Sequence, residues 1–139
     1  MTVVLDTNVV IRMFGRKSRL QRLVHAISYG EIEVAVSPAI WLEYEEVCLE
    51  MNSPAHWQKL QTLFALVSAA HGTILRVNPA FRFQTIPAHP DDNAFAECAI
   101  AAHADFILTD DSDYRSLKNA GYKPQPIKPE DFIARHLKP

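Results

Sequence analysis

Carboxylate side chains follow two apolar runs of this 139-residue sequence, close to the point where each run ends. Asp6 comes directly after residues 2–5, and Asp111 and Asp113 come shortly after residues 104–109. Short apolar, β-branched runs bounded by turn-forming residues predict buried strands. In an open parallel sheet, functional groups gather outside the carboxyl ends of the strands. The sequence therefore predicts that Asp6 and Asp111 lie at one edge of one sheet.

Two further acids lie on predicted helices. Asp92 is in the first turn of a predicted helix over residues 91–103, beside the apolar face of that helix, so it leans towards the sheet. Glu43 lies on a predicted helix over residues 38–50, which follows the second predicted strand. Alone, each acid has a simpler interpretation as a helix cap, a first-turn acid or a solvated residue. Their common placement near strand ends favours one shared cleft.

Four carboxylates aimed at one cleft repel each other unless protons or cations neutralise them. Mg²⁺ suits such a site because it binds a few carboxylates and retains several waters. A bound water can then attack a phosphodiester while the metal ion neutralises the developing charge. The six histidines contain no HxxxH pair, so histidine ligation of a metal is not predicted. These residues therefore predict a Mg²⁺ site that hydrolyses phosphodiesters.

Strands and helices alternate along the chain and must position these acids. Strands are predicted over residues 2–5, 31–37, 73–77, 104–109 and 125–128, and helices between Ser18 and Gly30 and over residues 38–50, 54–71, 91–103, 110–119 and 129–137. Short apolar strands that alternate with helices favour a parallel sheet covered on both faces. We therefore expect an α/β fold with one domain over residues 1–139.

Composition, cysteine spacing and the lengths of apolar stretches argue against several other classes of protein. The chain is 48% hydrophobic and 22% charged, as in soluble globular proteins. Cys48 and Cys98 lack CxxC or Cys/His ligand spacing, which argues against a disulfide scaffold and a zinc finger and favours a reducing, cytoplasmic compartment. Residues 1–10 contain Asp6 and no basic region, unlike a signal peptide. No apolar stretch reaches the roughly 18 residues that a membrane span needs.

Four segments together resemble the PIN-domain family of metal-dependent ribonucleases, which includes the VapC-like toxins of bacterial toxin–antitoxin pairs. They are LDTNV at residues 5–9, SPAIWLEYEEV at 37–47, PDDNAFAECA at 90–99 and ADFILTDDSDY at 104–114, in the order of the family. The resemblance implies a three-layer α/β/α fold with a central parallel sheet, a Mg²⁺ or Mn²⁺ site and endoribonuclease activity.

The resemblance also implies roles for individual residues. It makes Asp6, Glu43, Asp92 and Asp111 the catalytic metal ligands, Asp113 an additional outer ligand, and Thr7, Asn8 and Thr109 their supporting residues. The chain departs from the family pattern at two positions. We expect that pattern to have an acid where this chain has His89 and a glycine where it has Asp110. Which acid of the 110–113 segment assists Asp111 at the metal stays open.

Partners of three kinds are expected. The net charge of −2 excludes a uniformly basic nucleic-acid coat, yet one stretch carries five bases and no acid: Arg12, Arg16, Lys17, Arg19 and Arg22. Clustered bases commonly contact phosphates, so we predict that this run guides RNA into the cleft, although such a run is more often simply a solvated surface. The resemblance further implies a homodimer and a small antitoxin protein, whose helix could lie along the predicted hairpin over residues 38–71.

Two other functions compete with the nuclease. A phosphohydrolase of the haloacid dehalogenase type also places a nucleophilic Asp after its first strand, but it needs a second acid two residues later, where this chain has Asn8. A non-catalytic interaction module would keep the fold and lose the chemistry. The presence of all four carboxylates argues against such a module.

Overall fold

The computed structural model describes residues 1–15, 18–79, 92–111, 114, 118, 121 and 123–139, and of residues 92 and 93 the backbone alone. Within this part of the chain, five short strands form one sheet. They are β1 (Thr2–Leu5), β2 (Glu33–Val36), β3 (Ile74–Arg76), β4 (Phe106–Leu108) and β5 (Gln125–Ile127). The predicted strands are therefore confirmed, with ends that coincide or differ by one or two residues.

All neighbouring strands pair in parallel, in the order β3-β2-β1-β4-β5. The chain builds the sheet outwards from β1 to β3 and then returns to add β4 on the other side of β1. The direction of growth thus reverses between β1 and β4. Ligands of open α/β sheets bind in the crevice that such a reversal leaves at the carboxyl ends of the strands.

Helices connect the strands, and local sequence signals explain where the longer helices begin. The helices given whole by the described residues are α1 (Thr7–Arg12), α2 (Gln21–Ser28), α3 (Pro38–Glu50), α4 (Pro54–His71), α5 (Asp92–Ala101) and α6 (Pro129–His136). Helices α3, α4 and α6 each start with proline, whose missing N–H costs nothing at a first helical position. Gly72, with φ of 65°, ends α4 in the left-handed conformation that glycine tolerates best.

The core lies on both faces of the sheet. All four residues of β1 are buried, although successive side chains of a strand point to opposite faces, so both faces must be covered. Helix α5 packs against β1 and β4, while α3 packs against α1, α4 and α5. The predicted α/β architecture with helices around a central parallel sheet is confirmed.

Two helix predictions differ from the structure. Helix α1 was not expected, because its sequence TNVVIR is rich in β-branched residues, which have modest helix propensity. It forms because Asp6 caps it and because Val9 and Val10 are buried. Helix α2 begins at Gln21 rather than at Ser18, whose hydroxyl accepts a hydrogen bond from the Leu20 N–H before the helix starts.

The predicted loop over residues 78–90 and the predicted helix over residues 110–119 lie mostly outside the described residues. In the part of the chain that is described, no helix combines the length and the apolar character that crossing a membrane requires.

Candidate active site

Asp6 lies at the carboxyl end of β1, at the reversal point of the sheet, and only 4% of the residue is exposed. Three neutral groups donate hydrogen bonds to its carboxylate. The Thr7 N–H donates to Oδ1 at 2.8 Å, the Thr109 hydroxyl to Oδ2 at 2.6 Å, and the Asn8 amide to Oδ2 at 3.2 Å. Asp6 is thus both the cap of α1 and a buried acid held in one orientation.

The pKa of Asp6 is raised above its ordinary value of 3.8, chiefly because burial disfavours the charged form. The hydrogen bonds from Thr109, Thr7 and Asn8 oppose this effect, whereas the negative charge of Asp111 adds to it. None of the three groups that bind the carboxylate carries a positive charge. The fold therefore buries a carboxylate beside another acid and provides no direct cationic partner among the described residues.

Thr7 connects Asp6 to Glu43. Its N–H donates to Asp6, and its hydroxyl donates to Oε2 of Glu43 at 2.6 Å. Glu43 lies on α3, which packs against α1, so the contact between two helices carries the second acid to the carboxyl edge of the sheet. One threonine therefore positions two of the predicted site residues.

Thr109 has the corresponding role on the other side of Asp6. Its hydroxyl donates to Asp6 and accepts from the Asp111 N–H at 2.9 Å, which fixes the backbone of Asp111 next to β4. The side chain of Asp110 turns to Arg12, with 2.7 Å between Oδ2 and Nη1. These contacts favour Asp111 over Asp110 as the acid that faces the cleft.

Tyr44 stabilises the carboxyl end of β1, a role that the sequence did not predict. Its ring is fully buried, and its hydroxyl donates to the carbonyl oxygen of Leu5 at 2.5 Å, immediately before Asp6. Burial, followed by the charges of Asp6, Cys98 and Glu43, raises the pKa of Tyr44 well above its ordinary value, so the phenol stays protonated and can donate. The only sequence signal is its position beside Glu43.

The remaining predicted ligands lie partly or wholly outside the described residues. Asp92 begins α5, close to the sheet, but its side chain lies outside the described residues, as does all of Asp113. Among the described residues, no three His, Cys, Asp or Glu side chains are close enough together to hold a metal ion. Asp6, Glu43 and Asp111 are linked through threonines, and their convergence with Asp92 stays a prediction.

The predicted RNA-binding run is partly engaged in ion pairs. Arg12 pairs with Asp110 and with Glu130, and Arg22 pairs with Glu31 at 2.7 Å. Arg19 is exposed, and Arg16 and Lys17 lie outside the described residues. Arg12 therefore joins α1 to the segment after β4 and to α6, and the role of the run in RNA binding stays a prediction.

The five-stranded parallel sheet of the described residues, with helices on both faces and acids at its reversal point, defines a single α/β domain. The family model of the PIN domain matches residues 2–113, and the chain belongs to the PIN-domain family. PIN domains are generally nucleases, commonly metal-dependent ribonucleases. Neither the curated proteins nor the solved structures contain a match to the chain. Membership of this family favours a nuclease over the haloacid dehalogenase alternative.

Proposed function

We propose that residues 1–139 form an endoribonuclease domain that depends on Mg²⁺ or Mn²⁺ and acts in the cytoplasm as the toxin of a toxin–antitoxin pair. The observation that carries the proposal is Asp6. It is a buried carboxylate at the reversal point of the sheet. Its hydrogen-bond donors among the described residues are all neutral, and threonines link it to Glu43 and to the backbone of Asp111.

The residues at this edge fit a divalent cation. PIN domains usually use divalent metal ions, and carboxylate oxygens are the ligands that Mg²⁺ and Mn²⁺ prefer. Burial and the charge of Asp111 both disfavour an ionised Asp6, and a cation would remove this penalty. Asp6 would contact the ion directly, and Glu43, Asp111 and the Asp92 carboxylate from the start of α5 would reach it directly or through the waters that Mg²⁺ retains.

The chain prepares this site in two ways. Thr7 and Thr109 hold the Asp6 carboxylate in a fixed orientation, so little reorganisation is needed when a substrate binds. The Thr7 hydroxyl likewise orients Glu43, which can accept a proton from an attacking water at a carboxylate oxygen. A divalent cation bound there supplies positive charge that stabilises the phosphodiester as it is attacked and makes water a stronger nucleophile.

Exposed apolar side chains support the proposed antitoxin and homodimer contacts. Leu42 and Leu66 are each 63% exposed on the α3–α4 hairpin. A groove of about 690 Å³ between Phe14 and α4 is lined by Leu63 and Leu66. Exposed apolar patches commonly mark protein interfaces, so we place the contact with a helix of the antitoxin along this hairpin.

Cleavage of single-stranded RNA by the purified full chain tests the function. We expect cleavage with Mn²⁺ that stops in excess EDTA and is lost in Asp6→Asn. Expression of the wild type, but not of Asp6→Asn, should arrest growth, and a co-expressed antitoxin should relieve the arrest. Growth arrest by both forms, with no cleavage by either, would instead support a non-catalytic interaction module.

A further inference from the structure

A second concave site lies at the same edge of the sheet, between β2, β3, α3 and α4. This pocket, which we name the edge pocket, has a volume of about 570 Å³ and is lined mainly by Ser37, Trp41, Gln61, Phe64 and Arg76. We infer that the edge pocket binds one unpaired nucleobase of the RNA substrate. The inference rests on the proposed ribonuclease function and adds to it a binding site for one base.

The strand register places the edge pocket near Asp6. Val3 pairs with Val34, so Leu5 and Val36 lie at the same level, and Val36 pairs with Arg76. Neighbouring strands are about 4.8 Å apart, so the Arg76 backbone is about 10 Å from the backbone of Leu5. An RNA strand whose phosphate lies at Asp6 can therefore place a nearby base in the edge pocket.

The aromatic side chains of the edge pocket suit a base. Trp41 and Phe64 stack with 5.4 Å between their ring centroids and 29° between their planes, which keeps both rings in place. Trp41 is only partly buried, so part of its ring is open to the pocket. Unpaired bases of RNA are commonly bound by stacking on such aromatic side chains.

The polar groups of the edge pocket suit a nucleotide as well. Arg76 and Gln61 are exposed, and neither side chain forms an ion pair or hydrogen bond within the described part of the chain. The indole N–H of Trp41 likewise has no hydrogen-bond partner among the described residues. No acidic side chain is among the described residues that line the pocket. Arg76 is therefore available for a phosphate, and the other two groups for the edge of a base.

These same groups argue against an apolar side chain of a protein partner as the occupant. Such a side chain would bury the polar groups of Trp41, Gln61 and Arg76 without pairing them, and each unpaired buried group costs roughly 1–3 kcal/mol. A nucleobase offers both a stacking surface and hydrogen-bonding edges. The combination of the partly open Trp41 ring with polar groups that have no partner among the described residues therefore favours a nucleotide.

Binding of short single-stranded RNAs with one abasic nucleotide tests the inference, because it removes one base at a time. The experiment uses the full chain with Asp6→Asn in EDTA, so that no RNA is cleaved. We expect the abasic nucleotide to weaken binding about 5- to 150-fold at one position, which corresponds to the roughly 1–3 kcal/mol of one stacked base. Ala65→Leu, which fills the pocket from the exposed face of α4, should abolish this positional effect.

Two matched controls separate the edge pocket from general effects. Ala69→Leu makes the same change at an exposed position one turn further along α4, and it should keep the positional effect. Arg76→Gln should weaken RNA binding more than Lys59→Gln, which removes an exposed positive charge from the opposite end of α4.

The inference is overturned if no abasic position weakens binding, or if Ala65→Leu leaves the positional effect intact. It is also overturned if Ala65→Leu releases a co-expressed protein partner while RNA binding is unchanged. Wild-type chain that cleaves RNA normally in any of these cases would leave the proposed function standing. Wild-type chain that fails to cleave any RNA would remove the proposed function instead.

Discussion

Aspartates at the two edges of the sheet have different partners, and their pKa values shift in opposite directions. At the carboxyl edge, the donors that bind Asp6 within the described part of the chain are all neutral, and burial raises its pKa. At the amino edge, Asp105 accepts from the Thr2 N–H at 2.9 Å and pairs with Lys123 at 2.6 Å. The bond to Lys123, followed by the bond to Thr2, lowers the pKa of Asp105.

This difference separates acids that serve the fold from acids available for chemistry. Lys123 forms an ion pair with Asp105, so the negative charge of Asp105 stabilises the folded state. Asp6 keeps a buried charge that the described residues do not neutralise directly, which costs stability. Buried groups with shifted pKa values in a cleft are candidates for function for this physical reason.

The largest expected effect is on activity when each aspartate loses its charge. We expect Asp6→Asn to lower cleavage of single-stranded RNA by more than about a hundredfold, since removing even a partner of a metal ligand costs roughly 10- to 100-fold. Asp105→Asn should cleave at the wild-type rate. Initial rates with Mn²⁺ measure both. Full activity in Asp6→Asn would mean that cleavage needs the charge of Asp6 no more than that of Asp105.

Thr109→Val tests the support of the carboxyl edge. It removes a hydroxyl that donates to Asp6 and accepts from the Asp111 N–H, so we expect a loss of activity of roughly 10- to 100-fold. Its free energy of unfolding should fall by about 1–2 kcal/mol. Thr73→Val is the matched control, because the buried Oγ1 of Thr73 has no hydrogen-bond partner within the described residues. Equal losses in the two variants would assign Thr109 a structural role only.

A divalent cation should stabilise the folded state by binding at the carboxyl edge of the sheet and not at the amino edge. Mn²⁺ at a hundred times its dissociation constant adds about 2.7 kcal/mol to the folded state, which raises Tm by about 8 °C for a chain of this size. The shift should shrink in Asp6→Asn and persist in Asp105→Asn. Asp92→Asn in the same thermal melts tests the fourth predicted ligand. An undiminished shift in Asp6→Asn would place the cation elsewhere.

The smallest effect is the pH dependence of the amino edge. The folded pKa of Asp105 lies below its unfolded value of about 3.9, so its stabilisation is complete above that value and is lost as the pH falls through the folded pKa. Lys123 is 70% exposed, so Asp105→Asn should cost at most about 1 kcal/mol at pH 7. Urea unfolding at pH 7 and pH 3 should show this difference shrinking at the lower pH. A constant difference would mean that the charge of Asp105 is irrelevant.

Elements with strong local signals were predictable, and those that depend on tertiary contacts were not. Helices α3 and α4 have the predicted ends because prolines start them and Asn52 and Gly72 follow them. Helix α1 was missed because it depends on a buried face and on capping by Asp6 rather than on helix propensity. Strand ends shifted because pairing with neighbours, rather than composition, decides where a strand stops.

At the site, positions near strand ends were predictable, while the contacts between acids were not. The rule for parallel sheets predicted that Asp6 and Asp111 share one edge. That the Thr7 hydroxyl binds Glu43, or that Arg12 pairs with Glu130, depends on residues 36 and 118 positions apart in the sequence. No local pattern encodes such contacts, since they arise only when distant segments pack together.

The folded unit extends well beyond the segment that the family model matches. That match ends at residue 113, whereas β5 pairs with β4, Phe132 of α6 is fully buried, and Glu130 binds Arg12. A fragment cut at residue 113 would leave β4 as a bare sheet edge with unpaired N–H and C=O groups, and such edges promote aggregation. The segment that the family model matches is therefore smaller than the unit that packs together in the structure.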